Sequence, residues 1–283
     1  MTAELRGRRV LVTGAGGALG GATTAALRAG GATVAGLDLV GADGVIACDI
    51  RDAGSVSTAV AQARTEMGGI DAVVHFAGVG MPTSAGTAPG DAVWRTVDIN
   101  LLGPWRVTAA CIDQLVAQRG RLVFVASQLA YATIPFAAAY TVSKRGLAAY
   151  ADSVRSEYGS HVGVTTVYPG YIRTPIHDAS VAEGLSLEGA TREQRPADVA
   201  ATVLRALTAD RPPRDLACSA LGRFELAACR HLPRTVDAVI GRRLRRDLSR
   251  GRHTAAPLAA AMRSRLGFPD ATPTALTTEE RIA

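Results

Sequence analysis

Residues 10–20 read Val10-Leu11-Val12-Thr13-Gly14-Ala15-Gly16-Gly17-Ala18-Leu19-Gly20. The apolar run predicts a buried strand, and the glycines after it predict a tight turn into a helix of small residues. A glycine-rich turn at this place lets the backbone approach a pyrophosphate, whose charge is stabilised by the N-terminus of the helix. The stretch therefore predicts the first strand, turn and helix of a nucleotide-binding sheet.

The rest of the chain continues to alternate strands with helices. Apolar runs predict further strands near residues 33–37, 45–47, 72–76, 121–126, 162–167 and 215–219, and helical patterns lie near 18–29, 55–67, 97–117, 137–158 and 195–207. Such alternation predicts an α/β fold, a Rossmann-type doubly wound parallel sheet of about seven strands flanked by helices. Beyond residue 220 the pattern loosens, and we expect a helical C-terminal extension.

The composition is that of a globular protein. The 283 residues are 48% hydrophobic and suffice for one large α/β domain with a buried core. We find no apolar run of membrane-spanning length and no signal-peptide pattern in the charged N-terminus. The 4 cysteines and 5 histidines are dispersed, so we expect no disulfide framework, no metal site and a reducing, cytoplasmic location.

The net charge of +6 is concentrated at one end of the chain. Residues 1–204 carry 16 basic and 17 acidic side chains, which gives −1, whereas residues 205–283 carry 15 arginines and 8 acidic side chains, which gives +7. An excess confined to the C-terminal region gives no reason to expect a nucleic acid partner.

Residues 232–248 predict an amphipathic helix within this basic region. One face collects Val236, Val239, Ile240, Leu244 and Leu248, and the arginines lie elsewhere. Three roles stay open for such a helix: peripheral contact with an anionic membrane, closure over a substrate pocket, or packing on another subunit.

The second predicted strand ends at Asp38. A carboxylate at this position accepts hydrogen bonds from the hydroxyl groups of an adenosine ribose and repels a 2′-phosphate. The next residues are Leu39 and Val40, so no arginine follows to neutralise such a phosphate. We therefore expect NAD as the cofactor rather than NADP.

Lys144 is the one lysine among 31 lysines and arginines, and it lies four residues after Tyr140. Residues with this spacing share one face of a helix, so the phenol and the ammonium can flank one small volume. An arginine does not replace a compact ammonium where a charge must act on a neighbouring group. A nearby cation lowers the pKa of a phenol from about 10, which suits a general acid and base near neutral pH.

Over residues 7–220 the chain resembles the short-chain dehydrogenase/reductase family. Besides the glycine turn and Asp38, five segments match family motifs in order. They are Cys48-Asp49-Ile50, Phe76-Ala77-Gly78, Asn100, Ser127 placed 13 residues before Tyr140, and Tyr168-Pro169-Gly170-Tyr171-Ile172-Arg173-Thr174. The resemblance implies an NAD-binding and catalytic domain over residues 1–220, with residues 221–283 as a basic helical extension rather than an independent domain.

The resemblance also implies the catalytic roles. Tyr140 is the general base in alcohol oxidation and the acid in ketone reduction, and Lys144 lowers its pKa and holds the nicotinamide ribose. Ser127 stabilises the substrate oxygen, and Asn100 orders a water that connects Lys144 to solvent. The expected cofactor contacts are Gly14, Gly16, Gly17, Leu19, Gly20, Asp38, Asp49, Ile50, Ala77, Gly78, Tyr140, Lys144, Pro169, Gly170, Ile172 and Thr174.

Two positions depart from the single-domain branch of the family. Ala18 stands where that branch has its middle glycine, so the turn fits the spacing of the extended branch, and Phe76 replaces a structural asparagine. Two alternatives therefore stay open: a sugar-nucleotide epimerase or dehydratase of the extended branch, and a non-catalytic NAD-binding regulator. The Ser127–Tyr140 spacing and the Pro-Gly segment favour a single-domain NAD-dependent alcohol dehydrogenase or ketone reductase.

The residues after Ser127 and those from 171 to 187 are expected to line or cover the substrate pocket. The lining named from the sequence is Gln128, Tyr131, Ile134, Phe136 and Tyr171. These residues are mostly apolar, so we expect a hydrophobic secondary alcohol or ketone of the steroid, terpenoid or lipid type. His177 either reaches the substrate or lies in a solvated loop, and we expect the loop. The resemblance implies a homodimer or homotetramer built on the long helices.

Overall fold

The computed structural model describes residues 5–185, 193–251 and 256–268. Its strands are β1 (Arg9–Thr13), β2 (Thr33–Asp38), β3 (Val45–Ala47), β4 (Ala72–His75), β5 (Arg121–Val125), β6 (Gly163–Tyr168) and β7 (Asp215–Ala217). They form one parallel sheet in the order β3-β2-β1-β4-β5-β6-β7. The predicted fold class is confirmed, and the winding direction changes between β1 and β4.

Helices cover both faces of this sheet. The helices of the described residues are α1 (Ala18–Ala29), α2 (Ala53–Met67), α3 (Asp91–Val97), α4 (Gly103–Ala117), α5 (Ala138–Tyr158), α6 (Asp178–Ala182), α7 (Pro196–Thr208), α8 (Ala220–His231), α9 (Pro233–Ser249) and α10 (Pro257–Arg265). Helices α1 and α7 pack on one face, and α2, α4 and α5 pack on the other. Across the part of the chain that the structure describes, no helix is long and apolar enough to span a membrane.

Side chains of the central strands alternate between two buried cores. Leu11 joins the core beneath α2, α4 and α5, whereas Val10 and Val12 join the core beneath α1 and α7. Because successive side chains of a strand point to opposite faces and both faces are covered, the central strands are apolar at nearly every position. This explains why short apolar runs were sufficient to predict them.

The helix predicted from Val97 begins earlier, at Asp91, and changes its winding on the way. Residues Asp98–Leu102 form one π-helical turn between α3 and α4, and the N–H of Gly103 donates to the carbonyl of Asp98 five residues back. The next residue, Pro104, has no N–H to donate to the carbonyl of Asn100, so the regular α-helical bond is missing there. Such turns are frequent at functional sites, and this one carries Asn100.

The described residues beyond β7 form helices α8, α9 and α10, as predicted for the extension. Helix α8 packs on β7 and on the 3-10 turn Gln128–Ala130, and α9 packs on α8. Arg230 in the last turn of α8 donates to the Asp215 carboxylate at 2.9 Å and to the Tyr168 hydroxyl at 3.0 Å. These bonds attach α8 to the last residue of β6 and to the first residue of β7.

Candidate active site

A cavity of about 1030 Å³ opens at the carboxyl ends of β1, β4, β5 and β6. In open parallel sheets ligands bind at this edge, where the winding direction changes. The glycine turn, the first two turns of α5 and the segment after β6 all contribute to its lining. The structure therefore brings the nucleotide motif and the Tyr140–Lys144 pair to one cavity.

The glycine turn has positions that only glycine fits. Gly14 has a φ of +70°, and a Cβ there would lie 2.6 Å from the backbone nitrogen of Ala77. A Cβ on Gly20 would lie 2.0 Å from the carbonyl oxygen of Gly14. The turn is thus packed against both the strand and the segment after β4, with its backbone open to the cavity beside the N-terminus of α1. This cradle fits a pyrophosphate.

Ala18 is the first residue of α1 and lines the cavity. Gly14, Gly17, Leu19 and Gly20 line it as well. Having alanine rather than glycine at position 18 therefore places one methyl group at the N-terminus of α1. The closest backbone packing in this turn is between Gly14 and Gly20, which are both retained.

Asp38 is held beside the glycine turn by two hydrogen bonds. The N–H of Gly16 donates to Oδ2 at 2.8 Å, and the N–H of Leu39 donates to Oδ1 at 2.7 Å. Each carboxylate oxygen has more than one acceptor site, so further hydrogen bonds can be accepted. The expected position of the carboxylate, next to the cofactor turn at the end of β2, is what the structure shows.

Asp49 and Ile50 are not among the described residues that line the cavity. Arg51 donates to Oδ1 of Asp49 at 2.9 Å and to Oδ2 at 2.6 Å, and these bonds hold the pKa of Asp49 below its usual value. The side chain of Ile50 is buried in the core against Gly103. Any contact of Ile50 with a cofactor would have to use its backbone.

Tyr140 and Lys144 lie on the cavity side of α5. The Lys144 ammonium lies 5.9 Å from the centroid of the Tyr140 ring, and the lysine is only 4% exposed. Because the charged form loses hydration, burial lowers the pKa of Lys144 to about 8. The predicted juxtaposition of phenol and ammonium is present.

Ser127 follows β5, and its Oγ accepts from the N–H of Leu129 at 3.1 Å. Burial raises the pKa of Tyr140 above its ordinary value, and the nearby Ser127 hydroxyl acts in the opposite direction. The net shift is opposite to the lowering that the sequence predicted. The buried phenolate loses its hydration, while the Lys144 ammonium is directed to a backbone carbonyl.

Asn100 uses its side chain to connect the segment after β4 with α5. Its Oδ1 accepts from the N–H of Val79 at 2.8 Å, and its Nδ2 donates to the carbonyl of Val79 at 2.9 Å and to Oγ of Ser143 at 3.0 Å. A Cβ on Gly78 would lie 3.2 Å from this Oδ1 and 3.4 Å from Nζ of Lys144. Asn100, Gly78 and Lys144 are therefore neighbours, as the motifs predicted, and Ala77 lies beside Thr13.

The segment after β6 forms the opposite edge of the cavity. Its carbonyl at Pro169 accepts from the N–H of Gln128 at 2.9 Å, and the N–H of Gly170 donates to Oε1 of Gln194 at 3.0 Å. Four expected cofactor contacts from this segment line the cavity, namely Pro169, Gly170, Ile172 and Thr174.

The expected substrate residues divide into two groups. Gln128, Ile134, Phe136 and Tyr171 line the cavity, and residues 186 and 187 lie outside the described residues. The prediction for Tyr131 is wrong. The 3-10 turn directs its ring away from the cavity toward α8, where the guanidinium of Arg230 lies 4.5 Å from the ring centroid.

Of the two positions left open for His177, the structure supports the one at the cavity rather than the solvated loop. His177 lines the cavity, and its ring centroid lies 5.0 Å from that of Tyr171. Burial lowers its pKa, because the imidazolium form loses hydration. A neutral imidazole is therefore favoured beside the substrate side of the cavity.

Sequence reasoning left closure over the pocket as one of three open roles for α9 and named none of its residues as lining. Its contribution consists of Val239, Ile240, Arg243, Leu244 and Asp247. The amphipathic pattern of residues 232–248 was the available signal, and of its three open roles the structure supports closure over the pocket. The pattern nevertheless placed the arginines away from the apolar face, whereas Arg243 and Asp247 are on it. Contact of the outer face with an anionic membrane stays a prediction.

A family model described as short chain dehydrogenase matches residues 8–184. The dehydrogenase/reductase SDR family protein 7-like of Anopheles gambiae is 30% identical over 173 residues, which are 59% of this chain and 55% of that protein. The oxidoreductase UcpA of Escherichia coli is 32% identical over 137 residues, which are 47% of this chain and 52% of that protein. The chain thus spans about half the length of these relatives.

Solved structures share the fold at low sequence identity. The ligand-free aldohexose dehydrogenase of Thermoplasma acidophilum has a TM-score of 0.67 at 21% identity, covering 76% of this chain and 94% of that one. A short-chain dehydrogenase/reductase of Serratia marcescens has a TM-score of 0.66 at 22% identity, covering 76% and 97%. With the sheet order, the cofactor turn and the family match taken together, this chain belongs to the short-chain dehydrogenase/reductase family of oxidoreductases.

Proposed function

We propose that this protein is an NAD(H)-dependent oxidoreductase that interconverts a hydrophobic secondary alcohol and its ketone. The observation that carries the proposal is that Ser127, Tyr140 and Lys144 line one cavity, which the glycine turn also lines. A nicotinamide cofactor, when bound, supplies or accepts the hydride. The family relationship supports a cofactor of this class.

The chain's own residues supply proton transfer and orientation. In ketone reduction Tyr140 donates the phenolic proton to the substrate oxygen, and in alcohol oxidation its phenolate takes that proton. Ser127 donates a hydrogen bond to the same oxygen and stabilises negative charge on it. The raised pKa of Tyr140 keeps the phenol protonated at neutral pH, which supports its role as the acid.

Asp38 supports NAD over NADP. Its carboxylate is fixed beside the turn, where a 2′-phosphate would place a second negative charge. The residues that follow, Leu39 and Val40, are 61% and 76% exposed and carry no charge to compensate. Binding of the NADP 2′-phosphate at this position therefore costs free energy.

The cavity supports an apolar substrate. On the substrate side its lining is dominated by apolar side chains, namely Met81, Leu129, Ile134, Pro135, Phe136, Ile176, Leu185, Val239, Ile240 and Leu244. Helix α10 closes this side from behind, since Ala259 packs in one cluster with Leu185 and Phe136. A sugar nucleotide would find few polar partners on such a wall.

The test is NAD reduction, followed by the absorbance of NADH, against alcohols that range from small polyols to multi-ring and long-chain secondary alcohols. We expect turnover of apolar secondary alcohols and its loss by at least about a hundredfold in Tyr140→Phe, with NADH binding retained. Tyr131→Phe is the matched control, because that ring lies outside the cavity, and it should remain active. NADH binding without turnover of any alcohol would instead identify a non-catalytic regulator.

We further propose that the protein self-associates through α3, α4 and α5. Trp94 and Trp105 are 64% and 51% exposed on these helices, beside exposed Leu102 and Val142. Large exposed apolar residues grouped in this way indicate a protein interface. Light scattering should give the mass of a dimer or tetramer, and Trp94→Arg with Trp105→Arg should shift it to that of one chain; a wild-type protein of one chain's mass would exclude the interface.

A further inference from the structure

Helix α9 contributes one continuous face to the cavity, and that face carries charge. The five lining positions are separated by steps of one and three residues, as on a single helical face. Helix α9 packs mainly on α8, and the cavity separates it from the catalytic residues of α5. Its face is thus a wall of the substrate side, built from chain beyond the segment that the family model matches.

Arg243 and Asp247 lie one turn apart on this face. Nε of Arg243 is 3.7 Å from Oδ2 of Asp247, and the two side chains are 35% and 14% exposed. Placing charges in an apolar wall costs free energy, and replacing such a pair by apolar residues is often neutral or stabilising. The ion pair nevertheless lies on the same cavity-lining face as Val239, Ile240 and Leu244.

We propose that Arg243 and Asp247 bind a second hydroxyl group, carried by an elongated apolar substrate at the end remote from the reacting carbon. The inference rests on the proposed function, since Tyr140 and Ser127 define where the reacting oxygen binds. A hydroxyl group matches an ion pair because it accepts a hydrogen bond from the guanidinium and donates one to the carboxylate. The substrate class is an apolar diol or hydroxyketone.

The same pair disfavours the other two kinds of substrate end. A carboxylate would be attracted by Arg243 and repelled by Asp247, so the net electrostatic attraction of the pair for it is small. An apolar end would displace the water molecules that bind the ion pair, and it would form no hydrogen bonds in their place. The pair should therefore select a neutral polar group by its hydrogen bonds.

Three probes with one four-ring skeleton separate these cases: androstanediol, androstanol without the second hydroxyl, and lithocholate with a carboxylate at that end. Binding is measured by equilibrium dialysis with NADH present, so that the readout does not depend on turnover. We expect the wild-type protein to bind the diol at least about tenfold more tightly than androstanol, the ratio typical of hydrogen bonds to charged groups.

Variants of the pair should change this ratio in different ways. Arg243→Leu and Asp247→Leu should bring the diol-to-androstanol ratio close to one. Asp247→Asn keeps an acceptor for the hydroxyl but removes the repulsion, so it should retain the diol and bind lithocholate more tightly than the wild-type protein does. Arg242→Leu is the matched control on the exposed side of α9 and should leave all ratios unchanged. Thermal melting checks that each variant is folded.

The inference is overturned if no probe binds to the wild-type protein, if the diol and androstanol bind equally, if lithocholate binds best, or if the variants leave the ratio unchanged. Its failure is separable from that of the proposed reaction. Turnover of cyclohexanol by the wild-type protein without a preference for the diol removes only the hydroxyl site. Selective binding of the diol without turnover of any alcohol removes only the reaction.

Discussion

The ammonium of Lys144 donates a hydrogen bond to the backbone carbonyl of Val125 at 3.0 Å, where strand β5 ends. This bond fixes the head group of a buried side chain against the sheet. From the other side Gly78 approaches so closely that a Cβ there would lie 3.4 Å from Nζ. The space around this ammonium is therefore fitted to a compact cation.

Lys144→Arg should lower kcat/KM for alcohol oxidation by about a hundredfold or more, although the charge is unchanged. A planar guanidinium needs more space than a 4% exposed ammonium has here, and its displacement would move the charge relative to Tyr140. The measurement is NADH formation with the best alcohol of the panel. Full activity of this variant would show that the lysine is replaceable.

The adjacent position supplies the reciprocal control. Arg145 lies on the same helix, and its guanidinium stacks 5.1 Å from the centroid of Tyr131, outside the cavity. Arg145→Lys makes the opposite exchange at a site without a proposed role in catalysis, so kcat/KM should remain within about threefold of the wild-type value. A comparable loss in both variants would indicate general sensitivity of α5 rather than a specific need for the Lys144 ammonium.

The pH dependence of the two reaction directions should differ. Alcohol oxidation uses the phenolate of Tyr140, whose pKa is raised by burial, so its kcat/KM should increase with pH through the alkaline range. Ketone reduction uses the neutral phenol, so the acid form is present throughout the neutral range. Initial rates in both directions across one buffer series measure this, and an oxidation rate independent of alkaline pH would contradict the assignment of Tyr140 as the base.

Ser127 should set the position of this pH profile. Its hydroxyl group acts to lower the pKa of the Tyr140 phenol, whereas burial raises that pKa. Ser127→Ala removes the lowering contribution, so the alkaline rise in the oxidation rate should move to higher pH, in addition to a lower maximal rate. A lower maximal rate with an unmoved profile would mean that Ser127 acts on the substrate oxygen alone.

Much of the catalytic arrangement could be predicted because each motif follows a strand. The carboxyl ends of parallel strands meet at one edge, so Gly14, Gly78, Ser127 and Pro169 had to approach one another once the strands were recognised. The proximity of Tyr140 and Lys144 followed from their spacing of four residues on one helix. Local sequence was therefore sufficient to predict a contact wherever the sheet or a single helix fixed the geometry.

Two of the errors came from long-range contacts, and one is local. Tyr131 turns away from the cavity because Arg230, 99 residues later, stacks on it. The local error is the helix start: α3 begins at Asp91, before the predicted Val97, and the π-helical turn Asp98–Leu102 follows it. Arg243 and Asp247 face the cavity because α9 is oriented by its packing on α8, which a hydrophobic pattern does not encode.

Asp38→Asn should shift cofactor preference toward NADP. The amide keeps an oxygen that can accept from Gly16, but it carries no charge to repel a 2′-phosphate. We expect the NAD-to-NADP ratio of kcat/KM to fall by about tenfold or more, as for the loss of hydrogen bonds to a charged group. Asp43→Asn, an exposed carboxylate in the loop after β2, is the control and should leave the ratio unchanged. An unchanged ratio in Asp38→Asn would remove Asp38 from cofactor selection.

Gly20 and Gly21 offer adjacent substitutions with opposite expectations. A Cβ on Gly20 would lie 2.0 Å from the carbonyl oxygen of Gly14, so Gly20→Ala must push the cofactor turn away from α1. A Cβ on Gly21 would lie 3.4 Å from the carbonyl oxygen of Ala15, an ordinary contact, and alanine is the better helix former by about 1 kcal/mol.

Gly20→Ala should therefore weaken NADH binding at least about tenfold and lower the free energy of unfolding by roughly 1–3 kcal/mol, as overpacking does. Gly21→Ala should keep NADH binding and maintain or raise stability. Titration with NADH and urea unfolding measure both quantities, and equal behaviour of the two variants would show that the turn is not the cofactor cradle.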